Sequence, residues 1–218
     1  LFKKMEFLNR IYCALSLFLY QLMNPKKDRV IYFDFETTGL NPFKDKIIEY
    51  AFMDNQENGL FSLINPKTKF DKKITDITGI HPNELEDKPE IKDKIIDIES
   101  FLNNQNYNNY LIAHNCDGFD KWFFRNIIKN YSYLDYTEFK FIDTLILAKM
   151  LLPKQKSYSL GNLCKEYQIK FNAHRALDDT LALKKLYVEL LYTLSAKIKI
   201  PFIKLIDEPK FVYEFMYH

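Results

Sequence analysis

Two carboxylates, Asp34 and Glu36, lie one residue apart in the otherwise apolar segment IYFDFETTGL, residues 31–40. On a strand they would project from the same face, about 6–7 Å apart along the chain. Two carboxylates at such a short distance, partly shielded from water, repel each other. Either one of them is therefore protonated or a cation lies between them. Hard divalent cations such as Mg²⁺ and Mn²⁺ bind carboxylate oxygens. The alternative for an isolated pair is that Glu36 lies past the strand end and is solvated.

A second acidic segment is AHNCDGFDKWFF, residues 113–124, where a strand is expected to end and a helix to begin. Asp120 falls in the first turn of that helix, where the helix dipole favours a carboxylate. Asp117 precedes the helix and is better suited to capping it. Asp120 is therefore the better candidate for a site, and Asp117 for a cap.

A third segment, HRALDDT, residues 174–180, opens the longest predicted helix. His174 lies near the helix start and Asp179 more than one turn later, while the small Ala176 allows close packing. An imidazole titrates near neutral pH, so it can accept a proton during catalysis. Taken alone, a His before a helix is more often structural or solvated.

The three segments occur in the order D-x-E, HN…FD and H-x-A-x-x-D, and together they are far more specific than any one of them. Over about residues 30–191 the chain resembles the DnaQ-like 3′–5′ exonucleases, in the DEDDh branch of the DEDD group. The most diagnostic match is FDFETTGL, residues 33–40. Three further segments also resemble this family: ITGIHPNEL, FIDTLILAKMLLP and YSLGNLCKEY.

This resemblance implies an α/β protein of the ribonuclease H-like fold, with a mixed β-sheet of about five strands flanked by helices. It implies two divalent cations, Mg²⁺ or Mn²⁺, and a His that takes a proton from the attacking water. The implied metal ligands are Asp34, Glu36, Asp120 and Asp179, and the implied general base is His174. The implied substrate contacts are Thr37, Thr38, Gly39, Leu40, His81, Asn115 and Phe124.

Within that set, the N–H of Thr37 would meet the terminal 3′-OH, and Leu40 would wedge against the last base. Phe124 could stack on a base, although an aromatic residue on a helix more often belongs to the core. Many family members have two residues between the Asn and the Phe-Asp pair, whereas three separate Asn115 from Phe119 here. TREX-type members share this longer spacing, which favours Asp120 over Asp117.

The expected activity is hydrolysis of phosphodiester bonds at single-stranded or frayed 3′ ends of DNA or RNA, with release of nucleoside 5′-monophosphates. The choice between DNA and RNA as substrate remains open, because the active-site chemistry is common to both. A catalytically silent nucleic-acid-binding module on the same fold would lack at least one carboxylate or the His, and none is missing. An unrelated metal hydrolase does not explain the three motifs in this order.

The pattern of apolar residues predicts the elements that position these motifs. Expected strands cover residues 30–35, 47–53, 59–64, 110–113 and 139–142, the second and third forming a hairpin. Expected helices cover two short turns over residues 75–85, then residues 89–102, 119–129, a helix ending before residue 153, 159–167 and 173–195. A polar connector is expected over residues 103–109.

The composition favours one domain with additions at both ends. Hydrophobic residues make up 47% of 218 residues, enough for a sizeable core. The net charge of +2 means that a polyanion would have to bind through local basic patches. Basic residues near the motifs are Lys121, Arg125, Lys154, Lys156 and Arg175. The 3 Cys residues form no CxxC motif, which indicates a reducing, intracellular compartment.

Three regions are predicted along the chain. Residues 1–24 form an amphipathic helix, residues 25–195 the exonuclease domain, and residues 196–218 a C-terminal extension without an assigned role. We expect the N-terminal helix to dock on its own domain or on a protein partner, with membrane association or targeting as the alternative. No membrane-spanning segment is expected, because no stretch reaches about 18–20 consecutive apolar residues.

Overall fold

The computed structural model describes residues 26–103 and 107–218, which contain one mixed five-stranded sheet in the order β3–β2–β1–β4–β5. The two hairpin pairings, β1 with β2 and β2 with β3, are antiparallel, whereas β1 with β4 and β4 with β5 are parallel. The predicted mixed sheet is confirmed. The strands are β1 (Lys27–Thr37), β2 (Ile47–Asp54), β3 (Gly59–Leu63), β4 (Tyr107–Ala113) and β5 (Lys140–Asp143).

Helices cover both faces of this sheet, and four short 3₁₀ turns connect them. The α-helices of the described ranges are α1 (Lys72–Thr78), α2 (Ile95–Leu102), α3 (Asp120–Tyr131), α4 (Thr144–Leu151), α5 (Leu160–Glu166), α6 (Ala176–Ile198), α7 (Phe202–Asp207) and α8 (Lys210–Tyr217). The 3₁₀ turns are Pro82–Leu85, Ile91–Lys94, Cys116–Gly118 and Tyr136–Glu138.

The alternation of side chains along β1 builds two separate cores. Ile31, Phe33 and Phe35 face an aromatic cluster that α2 and α3 cover. Val30 and Tyr32 face the opposite cluster, which α4, α6, α7 and α8 cover. Because both faces are covered, β1 is a near-continuous apolar run rather than an alternating one. The central strand is thus held rigidly on both sides.

Helix α6 is the longest helix of the described residues and lies against the second core. Its buried leucines recur three or four residues apart, as the helical repeat requires for one face. The helix begins at Ala176, three residues later than predicted. His174 has φ of 69°, a left-handed conformation that cannot continue a right-handed helix.

Strand β4 begins at Tyr107, inside the segment predicted to be a polar connector. Asn108 and Asn109 pair with the start of β1, and their side chains are also used: Asn108 donates to Asp28 Oδ1 at 3.0 Å and Asn109 to the Leu102 carbonyl at 3.0 Å. These hydrogen bonds, together with the pairing to β1, override the polar composition of the segment. The predicted helix over residues 89–102 is likewise divided, into a 3₁₀ turn and α2.

The C-terminal extension forms α7 and α8, which complete the second core. Leu205 and Val212 are fully buried there. The ring of Tyr213 meets that of Tyr110 on β4 edge-to-face, with centroids 6.2 Å apart. The predicted N-terminal helix over residues 1–24 lies outside the described residues. Within the described ranges, no helix combines the length and apolarity needed to cross a membrane.

The burial of α7 predicts that the extension contributes to stability. Leu205→Ala should lower the free energy of unfolding by about 2–5 kcal/mol, since it opens a cavity in a filled core. Ile203→Ala on the same helix is the matched control, because Ile203 is 63% exposed and should change stability little. Urea denaturation of both variants measures this. Equal stabilities would show that the extension does not pack as described.

Candidate active site

The candidate site lies at the edge of the sheet where the parallel strands β1, β4 and β5 end. Asp34 and Glu36 follow Val30 and Tyr32 on the same face of β1, as the strand period predicts. Pairing of β1 with β4 stops at Tyr32, so the last residues of β1 extend past their parallel neighbour. Both carboxylates therefore lie where helix ends can approach them.

Asp120 reaches β1 from the first residue of α3. It is buried, and its Oδ1 accepts a hydrogen bond from the backbone N–H of Phe35 at 3.2 Å, between the two β1 acids. Asp117 lies elsewhere: its carboxylate pairs with Lys121 at 2.8 Å and accepts the Tyr217 hydroxyl at 3.1 Å. The structure thus brings Asp120, and not Asp117, to the cluster.

Asp179 and His174 come from α6 and the residues before it. Oδ2 of Asp179 accepts the backbone N–H of His174 at 2.7 Å, which ties the left-handed residue to the helix. Glu36, His174 and Asp179 each place a ligand atom within 4.8 Å of the others. The His174 side chain is exposed, so it faces the open side of the cluster. All five residues implied by the resemblance therefore approach one another.

Desolvation and repulsion between like charges raise the pKa values of the two acids on β1. Burial, and then the charges of Asp120, Glu36 and Asp179, hold the pKa of Asp34 well above its usual range. Burial and the Asp179 charge raise the pKa of Glu36 to about 8, while Arg175 acts in the opposite direction. Without a cation, Glu36 therefore remains largely protonated at neutral pH, and the pKa of Asp34 is shifted in the same direction.

The two acids on the helices behave in the same way, although backbone N–H groups oppose the shift. Burial raises the pKa of Asp120 well above its usual range against the hydrogen bond from Phe35. Burial raises the pKa of Asp179 to about 6 against the hydrogen bond from His174. Backbone donors therefore compensate only part of the negative charge.

The donor set fits hard divalent cations. Carboxylate oxygens from Asp34, Glu36, Asp120 and Asp179 are the ligands that Mg²⁺ and Mn²⁺ prefer. Their raised pKa values show that the protein itself leaves the cluster short of positive charge. A bound cation would supply that charge, so the residues present suit such an ion.

Glu49 on β2 is a buried acid beside the site that the sequence analysis missed. It lies opposite Glu36 in the β1–β2 register. Its carboxylate accepts the Ala176 backbone N–H at 2.9 Å and two donors of Arg175, at 2.7 and 3.1 Å. Glu49 thus binds the first residue of α6 and fixes the start of the helix that carries Asp179. A buried Glu in the apolar run IIEYAF was the available signal.

Asp143 at the end of β5 is a second missed residue. It is buried and accepts backbone N–H groups of Asn115 at 3.0 Å, Asp117 at 2.9 Å and Leu145 at 2.9 Å. One carboxylate therefore caps α4 and shapes the loop leading to Asp120. An acid between a short apolar strand and a helix was the signal for a cap.

The residues implied as substrate contacts fall into different environments. Leu40, His81 and Asn115 are exposed, Thr38 and Gly39 are half-buried, and Thr37 is buried. The expectation that Phe124 stacks on a base is not met. Its ring is fully buried among other Phe rings of the first core and offers no face to a ligand.

Two of the five basic residues near the motifs are engaged in ion pairs. Arg175 binds Glu49 and Lys121 binds Asp117, so neither is a free phosphate contact. The guanidinium of Arg125 instead lies over aromatic rings. Lys154 and Lys156 are exposed.

The fold is that of a known nuclease. E. coli exonuclease I superposes with a TM-score of 0.66 and 19% identity, over 87% of this chain and 43% of that chain, in a complex with a dA16 oligonucleotide. The zinc-bound form of E. coli exonuclease I with single-stranded DNA superposes with a TM-score of 0.63 and 20% identity, over 77% of this chain and 43% of that chain. These likenesses confirm the ribonuclease H-like fold.

Sequence comparison gives the family. Residues 31–187 match the RNase_T exonuclease family, and the chain belongs to this family of DnaQ-like 3′–5′ exonucleases. The DNA polymerase III PolC-type of Thermotoga petrophila is 40% identical over 151 residues, covering 67% of this chain and 10% of the relative. The DNA polymerase III PolC-type of Bacillus subtilis is 30% identical over 177 residues, covering 79% of this chain and 12% of the relative. The chain thus spans about a tenth of the length of these relatives.

The raised pKa of Glu36 predicts an unusual dependence of stability on pH. Its folded pKa of about 8 exceeds the ordinary glutamate pKa of 4.5, so between these values the native protein binds more protons than the unfolded chain. The free energy of unfolding must therefore fall as pH rises through this interval. We expect the melting temperature in EDTA to decrease from about pH 7 to about pH 8.5, and Mn²⁺ to reverse the decrease.

Glu36→Gln is the control for this measurement, because it removes one titrating carboxyl of the cluster and should make the decrease in melting temperature smaller. His114 cannot produce this decrease, since burial lowers its pKa and its contribution to stability therefore rises with pH. A melting temperature that is constant or rises with pH, or that does not respond to Mn²⁺, would contradict the described cluster.

The Glu49–Arg175 contact predicts a positioning role. Glu49→Gln should reduce exonuclease activity and the apparent Mn²⁺ affinity by about tenfold, because outer contacts orient the residues that hold a metal. Glu57→Gln is the control, since it breaks only the exposed contact with Lys184 at 3.4 Å. Activity and the Mn²⁺-induced melting shift report the two effects separately. Wild-type values for both would reject the role.

Proposed function

We propose that this chain is a metal-dependent 3′–5′ exonuclease that acts on single-stranded or frayed DNA ends and releases nucleoside 5′-monophosphates. One observation carries the proposal: four acids and a His from three distant segments converge at one edge of the sheet. Ligand atoms of Glu36, His174 and Asp179 lie within 4.8 Å of one another. The family match over residues 31–187 supports the same activity.

DNA is the favoured substrate because of what the similar proteins are. The matched relatives are DNA polymerases of the PolC type. The superposed exonuclease I structures include complexes with single-stranded DNA and with a dA16 oligonucleotide. RNA is the alternative, and the experiment below separates the two.

In the proposed mechanism, Asp34, Glu36, Asp120 and Asp179 would hold two divalent cations, Mg²⁺ or Mn²⁺. Bound cations of this kind stabilise the charge that develops on the attacking and departing oxygens of a phosphodiester. His174 takes the proton from the attacking water, a role suited to its exposed imidazole at the mouth of the cluster. The backbone N–H of Thr37 binds the terminal 3′-OH, and the exposed Leu40 packs against the last base.

Substitutions separate the roles of the acids and the His. Asp34→Asn should abolish hydrolysis without loss of thermal stability in EDTA, because the metal-free protein already favours the neutral form of this carboxyl. His174→Ala should slow hydrolysis by about 10²–10⁴-fold while keeping the Mn²⁺-induced rise in melting temperature. Normal digestion by Asp34→Asn would reject the metal site, and equal loss of hydrolysis and Mn²⁺ response in His174→Ala would reject the general base.

The decisive experiment is digestion of matched DNA and RNA oligonucleotides, each blocked at its 3′ or its 5′ end, with Mg²⁺, Mn²⁺ or EDTA. We expect shortening of DNA from a free 3′ end, release of nucleoside 5′-monophosphates, and complete inhibition by EDTA. Faster digestion of RNA than of DNA would show that RNA is the preferred substrate. Absence of digestion of either polymer would reject the proposed activity and leave a catalytically silent module on the same fold as the alternative.

A further inference from the structure

The loop between β1 and β2, residues 38–46, is held by its own hydrogen bonds. The carboxylate of Asp45 accepts the Asn41 N–H at 2.8 Å and the Thr38 hydroxyl at 3.3 Å. Despite this internal order, Leu40 is 82% exposed and Phe43 is 80% exposed. An ordered loop that holds two large apolar side chains in solvent is a feature that folding alone does not require.

This loop is also fastened to helix α3. Nδ2 of Asn126 donates to the Pro42 carbonyl at 2.6 Å, next to Phe43 in the chain. Trp122 precedes Asn126 by four residues, so it lies on the same side of the helix one turn away. Phe43 and Trp122 therefore lie on either side of the same contact between the loop and α3, the former at the adjacent residue and the latter one helical turn away.

The exposed ring of Trp122 is fixed in place and accompanied by a cation. Its Nε1 donates to the Asp117 carbonyl at 2.9 Å. The guanidinium of Arg125 lies 5.7 Å from the Trp122 ring centroid, and no carboxylate of residues 26–103 or 107–218 pairs with it. We name the surface formed by Phe43, Trp122 and Arg125 the aromatic strip.

The aromatic strip is attached to the elements that carry the acids. Its loop follows Thr37, the last residue of β1 and the neighbour of Glu36, and its helix begins with Asp120. A strand whose 3′ end enters the cluster must leave it over one of the neighbouring surfaces. Aromatic faces alternating with cations suit single-stranded nucleic acid, because every base has a stacking face and every nucleotide a phosphate.

We propose that the aromatic strip binds the nucleotides upstream of the 3′ end, by stacking of bases on Phe43 and Trp122 and by contact of Arg125 with a phosphate. This inference rests on the proposed exonuclease function. It makes the substrate a single strand several nucleotides long, with little dependence on sequence, since stacking does not read base edges. A dinucleotide would reach the acids without reaching the strip.

Trp122 is the single Trp of the chain, so its fluorescence reports directly on the strip. The full chain in Mg²⁺ is titrated with an oligothymidylate carrying 3′-terminal phosphorothioate linkages, with the matching dinucleotide as comparison. We expect the long oligonucleotide to quench the fluorescence and the dinucleotide to leave it unchanged. Phe43→Ala should weaken the quenching titration about tenfold, which is the order of one lost base-stacking contact.

Kinetics give a second measurement on unmodified oligothymidylate and dinucleotide. The double variant Phe43→Ala, Trp122→Phe retains a ring at position 122 and should raise KM for the long substrate about tenfold, with kcat for the dinucleotide unchanged. Phe61→Ala, an exposed Phe on the outer strand β3, is the matched control and should behave like the wild type.

Equal quenching by the long oligonucleotide and the dinucleotide, or no quenching by either, would overturn the proposal that the aromatic strip binds upstream nucleotides. Equal kinetic effects of the double variant on the long oligonucleotide and on the dinucleotide would also overturn it, because they would indicate that the substitutions disturb the carboxylate cluster itself. Neither of these outcomes contradicts the proposed exonuclease function, as long as the wild-type chain digests the unmodified oligonucleotide. Failure of the wild type to digest any 3′ end would instead remove the proposed function itself.

Discussion

The structure depends on one electrostatic constraint: four carboxylates are held together in a partly desolvated cluster. Burial and mutual repulsion hold the pKa values of Asp34 and Asp120 well above their usual range. Such an arrangement costs free energy in the absence of a neutralising partner. Protons can supply that partner in the metal-free protein, and the proposed cations would do so during catalysis. Other features of the site are arranged around this concentration of charge.

Packing of large elements, rather than flexible loops, holds the acids at their positions. The central strand is covered on both faces, so Asp34 and Glu36 project from a rigid support. Glu49 adds a further negative charge beside Glu36, yet it is satisfied by Arg175 and by the start of α6. A buried acid that would worsen the repulsion thus serves to attach the helix carrying Asp179. Sites built on strands and helix ends in this way retain their geometry well.

Helices α7 and α8 lie beyond the family match, which ends at residue 187. They bury Leu205 and Val212 in the second core, so they belong to the same folded unit. The Tyr217 hydroxyl also reaches Asp117, three residues before Asp120. In this chain the C-terminal extension therefore both completes a core and contacts the loop that delivers one acid to the site.

The sequence by itself determined the strands, the hairpin and most helices through local periodicity, and its resemblance to a known exonuclease family indicated the five residues that converge. Only the tertiary structure decided which buried acids are satisfied and which aromatic rings are free. Phe124 lies on the helix predicted from its pattern, yet its ring is buried, whereas Phe43 is exposed. Glu49 acquires its role from Arg175, 126 residues away. Burial and charge pairing depend on neighbours distant in sequence, which no local pattern encodes.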